Sequence, residues 1–340
     1  MFLNIIYIIA GVVLVLWGAD RMTDGASSLA RRMNVPEILI GLTIVAAGTS
    51  APELFVSLVS ALKGTPDLAV GNVVGSNILN TMLIVGCTAM VAPMAISRST
   101  VRKDIPFAVA ASLLLFVLCM DGFGTLSLKG NMISRTDGLV LLAGLAAFMG
   151  YTVRLARKEV PVASHVTSCD AVGDVSATPV TGNVVADTVS TETPVSLWKC
   201  ILLVIVGLAC LIFGSNLFVD AASAVAATLG VSESVVGLTI VAGGTSLPEL
   251  ATSVVAARKG QSALAIGNVL GSNVFNILAI LGVTAVLCPM QISGITITDL
   301  LVMIISIAVV WMFSFTRYTV ERWEGAVLVC GYAGYMWWLL

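Results

Sequence analysis

Ten continuous apolar segments succeed one another along the chain, at about 2–19, 36–62, 68–92, 105–121, 137–155, 198–219, 235–257, 264–288, 300–316 and 325–340. A helix of about 20 apolar residues crosses the hydrocarbon core of a bilayer, and runs of this kind find their natural solvent there. In water they would need a polar coat that this chain lacks. Only 11% of its residues are charged and 58% are hydrophobic, where a soluble domain carries about 25% charged residues. The runs are unbroken and do not alternate apolar with polar, which excludes a transmembrane barrel. The sequence therefore predicts an all-α polytopic membrane protein with ten transmembrane helices, and the lipid bilayer as its first partner.

Smaller features narrow the reading. Met22 to Met33 and Asp220 to Leu229 continue segments one and six as small-residue amphipathic stretches, so these two helices are expected to be long and tilted. The first span starts at residue 2 with no basic leader or cleavage site and reads as a retained helix. A net charge of −2 argues against a nucleic-acid partner. The seven cysteines, Cys87, Cys119, Cys169, Cys200, Cys210, Cys288 and Cys330, include no CxxC pair and lie mostly in apolar runs, as buried hydrophobes would. The one histidine, His165, has no candidate co-ligand beside it. No resident cofactor is expected.

Residues 156–196 break the pattern. They are rich in Ser, Thr, Val, Ala and Pro with no apolar period, and read as a linker between a unit at 1–155 and a unit at 197–340. The two units repeat. A shift of 196 lays Glu37–Ser97 on Glu233–Ser293 without a gap, and 35 of these 61 positions are identical. Gly48-Thr49-Ser50-x-Pro52-Glu53-Leu54 matches Gly244-Thr245-Ser246-x-Pro248-Glu249-Leu250. Gly71-Asn72-Val73-x-Gly75-Ser76-Asn77-x-x-Asn80 matches Gly267-Asn268-Val269-x-Gly271-Ser272-Asn273-x-x-Asn276. Five spans per unit is an odd number, so the second unit must enter the membrane from the opposite face. Counting alone thus predicts two inverted five-helix repeats, an architecture of transporters. Packing would retain apolar and small residues across a duplication, but gives no reason to retain Glu, Asn, Thr and Ser.

Basic residues set the orientation. With the N-terminus outside, thirteen Lys and Arg fall on inside loops, while the outside loops hold Lys63, Lys129 and Arg135. Arg21 lies within the first long helix. This positive-inside bias predicts both termini outside and the 156–196 linker in the cytoplasm.

Glu53 and Glu249 carry the chemistry. Each lies deep in an apolar span, where a carboxylate is costly and usually functional. Thr49 and Glu53 stand at i, i+4, with Ser50 at i, i+3 from the glutamate, and Thr245, Ser246 and Glu249 repeat the arrangement. Pro52 and Pro248 have no N–H, so the carbonyls of Gly48 and Gly244 lose their helical donors and can turn toward a cavity. Ser76 with Asn80, and Ser272 with Asn276, add further oxygens at i, i+4. Gly71, Gly75, Gly267 and Gly271 permit close helix approach, and Asn72, Asn77, Asn268 and Asn273 are either ligands or interhelical hydrogen-bond formers. Such a set offers hard oxygens only, which selects calcium or alkali cations. Two carboxylates are neutralised by one Ca²⁺, by two or more Na⁺, or by two protons. Competition for one neutralising site is the physical basis of obligatory exchange.

The duplicated GTSxPE and GNxxGSNxxN motifs resemble the α-repeats of the sodium/calcium exchanger family, in the calcium/cation antiporter superfamily. The resemblance spans all ten segments. It implies a core of spans 2, 3, 7 and 8, across which helices 1 and 6 slide. It also implies ion ligands at Ala46, Thr49, Ser50, Glu53, Ser76 and Asn80, and at Ala242, Thr245, Ser246, Glu249, Ser272 and Asn276. The two alanine carbonyls are the additions it makes to the set read from the residues. Some members carry Asp where this chain has Asn276, an acid associated with potassium co-transport, so the neutral pair Asn80 and Asn276 points to potassium independence. The expectation is a monomeric Na⁺/Ca²⁺ antiporter working by alternating access in a prokaryotic inner membrane, and not an enzyme. A proton/Ca²⁺ antiporter is the alternative, and a cation channel a more distant one. Asp24 and Asp220, duplicated on helices 1 and 6, stand either on an ion path or at a wet helix end. Asp104 and Asp299 are expected to cap helices.

Overall fold

The computed structural model describes residues 2–120, 131–158, 196–229, 242–292, 295–315 and 317–339. They form ten helical rods. Helix α1 (Phe2–Met33) is continuous over 32 residues, as is α6 (Leu197–Thr228), so each amphipathic extension belongs to its helix. Helix α2 has two arms, Glu37–Thr49 and Ala51–Leu62, bent by 45°. Helix α3 runs Pro66–Ile78, passes through a π-helical turn at Leu79–Ile84 and ends as Val85–Val91. Helix α4 is already helical at residues 98–99, passes through a π-helical turn, Thr100–Asp104, and continues as Ile105–Cys119; α5 is Arg135–Lys158. In the second unit α7 comprises Ala242–Thr245 and Leu247–Arg258. Helix α8 runs Ser262–Phe275, then a π-helical turn Asn276–Leu281, then Gly282–Leu287. The last rods are α9 (Ile297–Phe315) and α10 (Arg322–Leu339). Among the described residues, six rods are long and apolar enough to cross a membrane, and α2 makes a seventh if its bent arms count as one span. The 156–196 linker, with His165 and Cys169, falls almost wholly outside the described residues.

The packing shows the inversion. Gly11 of α1 lies against Gly214 and Phe218, Gly18 against Gly207 and Leu211, and Gly25 against Cys200 and Val204. Residue numbers rise along α1 as they fall along α6, so the two helices are antiparallel. A Cβ on Gly18 would stand 2.7 Å from the Gly207 carbonyl oxygen, and one on Gly207 2.6 Å from the Met22 nitrogen. The crossing is therefore backbone on backbone, which only glycine allows. Two short ribbons repeat the symmetry. β1 (Met94–Ala95) pairs antiparallel with β4 (Thr319–Val320), and β2 (Met132–Ile133) with β3 (Met290–Gln291). A shift of 196 turns β1 into β3, so each repeat lends a strand to the other.

The core sits on α3 and α8. In the most apolar 18 residues of Leu68–Val91 and of Ser262–Leu287, 67% and 78% of the residues are buried, against 22% in those of α1. Helix α1 instead shows Phe2, Ile9, Val13 and Trp17 outward, an apolar face suited to acyl chains. Trp198, Trp323 and Trp337 are exposed near helix ends, where indoles settle at the membrane–water boundary.

The two capping aspartates part company. The Asp299 carboxylate accepts from the Thr296 backbone N–H (2.7 Å) and hydroxyl (2.8 Å), which closes the start of α9. Its other oxygen accepts from the Tyr335 hydroxyl at 2.8 Å. Asp104 instead lies at the end of a helical turn already under way, and Ser97 takes the capping role, accepting from the Thr100 N–H at 3.1 Å. The capping expectation thus fails for Asp104, because α4 begins earlier than the apolar run does. No disulfide joins the cysteines among the described residues.

Candidate ion site

Each GTSxPE motif breaks its helix. Ser50 has φ −83° and ψ 7°, and Ser246 has φ −93° and ψ 8°, between arms that end at Thr49 and Thr245 and restart at Ala51 and Leu247. The prolines stand in the first turn of the new arms, where a missing N–H costs nothing. This break turns the serines away from their own glutamates. Ser246 Oγ donates to Glu53 Oε1 at 2.9 Å, and Ser50 Oγ donates to Glu249 Oε1 at 3.0 Å. The i, i+3 spacing suggests a Ser–Glu pair within one turn; the structure exchanges the serines between repeats. Thr245 also lies beside Glu53, and Thr49 and Ser272 beside Glu249.

Both glutamates are 1% exposed. The second carboxylate oxygen of each, Oε2, is buried and has no hydrogen-bond partner. Among the described residues neither glutamate has an ion-pair partner, and no cluster of three His, Cys, Asp or Glu exists that could hold a metal. Two carboxylate oxygens are thus committed to serines and two stand unsatisfied, a costly state for buried charge unless a cation neutralises it. Thr49, Ser50, Ser76, Asn80, Ser246, Ser272 and Asn276 are buried with them, as is Ala46. Ala242 lies in the first arm of α7.

Glycine brings the motifs together. A Cβ on Gly271 would lie 2.6 Å from the Ala46 Cβ and 2.7 Å from the Leu42 carbonyl oxygen; one on Gly267 would lie 2.7 Å from the Ile38 oxygen. Helix α8 thereby rests on the first arm of α2, and Ser272, next to Gly271, lies beside Glu249.

The remaining asparagines support the site. Asn72 Nδ2 donates to the Glu53 carbonyl (3.3 Å) and to Ser57 Oγ (2.9 Å); Asn268 Nδ2 donates to the Glu249 carbonyl (3.3 Å) and to Ser253 Oγ (3.0 Å). Each asparagine pins the backbone of a glutamate. Asn268 Oδ1 also accepts from Thr49 Oγ1 at 3.2 Å. Ser57 and Ser253 are hydrogen-bond partners that the sequence reading missed, although they recur at the same 196-residue shift. The Gly244 carbonyl that Pro248 frees does not stand open: the Ser215 hydroxyl of α6 donates to it. Position 19 of α1, the equivalent of Ser215, is alanine.

Comparison with known proteins places similar chains beside this one. The family model "Sodium/calcium exchanger protein" matches residues 3–154 and 199–340. CaxA of Alkalimonas amylolytica is 35% identical over 339 residues, covering 98% of each chain. The sodium/calcium exchanger MaX1 of Methanosarcina acetivorans is 29% identical over 344 residues, covering 98% of this chain and 97% of its own. Among solved structures, the sodium-calcium exchanger NCX_Mj soaked with zero Na⁺ and Ca²⁺ superimposes with a TM-score of 0.79 at 27% identity, covering 100% of this chain and 99% of that one.

Proposed function

The chain belongs to the sodium/calcium exchanger family, and on that premise we propose that it is a Na⁺/Ca²⁺ antiporter whose ions bind between Glu53 and Glu249. One observation carries this reading: two buried carboxylates from opposite repeats, each with one oxygen held by a serine of the other repeat and one oxygen unsatisfied. A charge of −2 in a low-dielectric pocket calls for Ca²⁺ or for two or more Na⁺, and neutral oxygens complete a hard-cation shell. Thr49, Ser50, Ser76 and Asn80 with Thr245, Ser246, Ser272 and Asn276 supply side-chain oxygens, and Ala46 and Ala242 supply carbonyls. Asn276 and Asn80 are both neutral, which supports independence from K⁺. The five-helix units 1–155 and 197–340 act as the two halves of an alternating-access device joined by a cytoplasmic linker at 156–196. Both termini then face outward, in a prokaryotic inner membrane, and one chain suffices for function.

Ca²⁺ flux into vesicles reconstituted with the protein tests the counter-ion. Flux is expected to follow an imposed Na⁺ gradient at clamped pH and to ignore K⁺. Flux that follows a pH gradient and ignores Na⁺ would assign the protein to proton/Ca²⁺ antiport instead.

A further inference from the structure

The asparagines around the site are not symmetric although their sequence is. Asn276 Nδ2 donates to Asn77 Oδ1 at 3.1 Å, so the amide nitrogen is committed and Oδ1 is the atom left without a partner. Asn77 is itself held: its Nδ2 donates to the Asn273 carbonyl (3.2 Å), and its own carbonyl accepts from Thr81 Oγ1 (2.8 Å). The symmetric contact would join Asn80 to Asn273. Instead Asn273 Nδ2 donates to Thr81 Oγ1 at 2.8 Å, and both terminal atoms of Asn80 have no partner. The cause is one residue. Thr81 corresponds to Ile277 in the second repeat, which has no hydroxyl. We propose that Asn77 is a positioning residue that fixes the Asn276 oxygen toward the ion, and that Thr81 diverts Asn273 and leaves Asn80 free to adapt.

This inference rests on the ion site proposed above, and double-mutant cycles on the half-saturating Ca²⁺ concentration separate the two. Asn77→Leu is expected to raise that concentration about tenfold in the native background and less than about twofold in Asn276→Ala, where no amide remains to orient. Isosteric Thr81→Val, which should fold whether or not Asn77→Leu does, is expected to change it about threefold, with the effect lost in Asn80→Ala but kept in Asn276→Ala. Equal factors in all backgrounds would overturn the positioning roles. An unchanged Ca²⁺ requirement in Asn276→Ala would remove the ligand on which they act.

A second observation stands apart from the site. At the end of the bundle where α6 begins, Lys259 Nζ lies 2.7 Å from both Asp20 Oδ1 and Asp24 Oδ1 and 3.1 Å from the Asp20 carbonyl. It follows α7 directly and so ties that helix to α1. Partial burial would lower the Lys259 pKa, but bonds to the two aspartates outweigh it and hold the ammonium above its usual range. A shift of 196 places Lys63 on Lys259 and Asp220 on Asp24. Lys63 and Asp220 stand exposed at the opposite end, and no ion pair joins them. Inverted repeats alternate by exchanging the conformations of their halves. The geometry points to a two-ended latch: Lys259 with Asp20 and Asp24 closes one face, and Lys63 with Asp220 closes the other after the exchange.

Paired cysteines in a background without native cysteines test it. Asp24→Cys with Lys259→Cys, and Lys63→Cys with Asp220→Cys, are each expected to cross-link during turnover, but never both in one molecule. The charge swap Lys63→Asp with Asp220→Lys is expected to recover most of a roughly threefold loss of exchange rate caused by Lys63→Asp alone. Both cross-links in one molecule, or no Lys63–Asp220 cross-link at all, would overturn the latch whatever ion is transported.

Discussion

Glu53→Gln or Glu249→Gln is expected to abolish Ca²⁺ binding and exchange while the protein still folds. Glutamine keeps the shape of the side chain, and its carbonyl oxygen can still accept from Ser246 or Ser50. What it removes is charge. Ca²⁺ in the pocket would then face a single carboxylate, and an unmatched buried charge costs several kcal/mol. A loss of at least about a hundredfold in Ca²⁺ affinity follows, equivalent to about 2.7 kcal/mol. Thermal unfolding in the absence of Ca²⁺ should change little or rise, because the empty native site holds two unsatisfied carboxylate oxygens. Equilibrium Ca²⁺ binding and an unfolding curve on each purified variant check both halves of this expectation. Native binding in both variants would remove the ligand assignment.

Gly271→Val should match that effect by a different route. The added Cβ would sit 2.6 Å from the Ala46 Cβ and 2.7 Å from the Leu42 Cα and carbonyl oxygen. Most of that obstacle is backbone, which cannot rotate aside, and overpacking a tight core costs about 1–3 kcal/mol even where side chains can yield. Gly271 adjoins Ser272 and lies five residues before Asn276, so any relief by helix separation moves both away from Glu249 and Asn77. The folded yield should fall steeply, and protein that survives should bind Ca²⁺ about a hundredfold more weakly. Gly334→Val on α10, where nothing described lies within 4 Å of the new Cβ, is the control and should leave binding unchanged. Equal behaviour of the two variants would contradict the packing role of Gly271.

The apolar runs and the odd number of spans per repeat were enough to read ten helices and their inversion from the sequence, because membrane solvent leaves so few alternatives. The buried glutamates were legible for the same reason: a carboxylate is conspicuous where everything near it is apolar. Their partners were not. Spacing along an ideal helix places Ser50 beside Glu53, but Ser50 itself sits at the break, with ψ near 7°, and the hydroxyl crosses to Glu249. The π-helical turns that contain Asn80 and begin at Asn276 leave no mark in residue pattern, yet one extra residue per turn decides where those amides point. The carbonyl freed by Pro248 was legible, whereas its donor Ser215 comes from α6 and has no counterpart in α1. Position 81 carries the same lesson. A Thr facing an Ile across the duplication looks like drift until Asn273 is seen to donate to it.

Diffraction from crystals soaked in Ca²⁺ or Sr²⁺ tests the central claim most directly, through the anomalous signal of the cation. The expected result is one strong peak between the carboxylates, with Glu53 and Glu249 oxygens about 2.3–2.6 Å from it for Ca²⁺, weakened as Na⁺ is raised. A saturating soak that leaves this position empty while the cation binds elsewhere in the membrane-spanning region would contradict it.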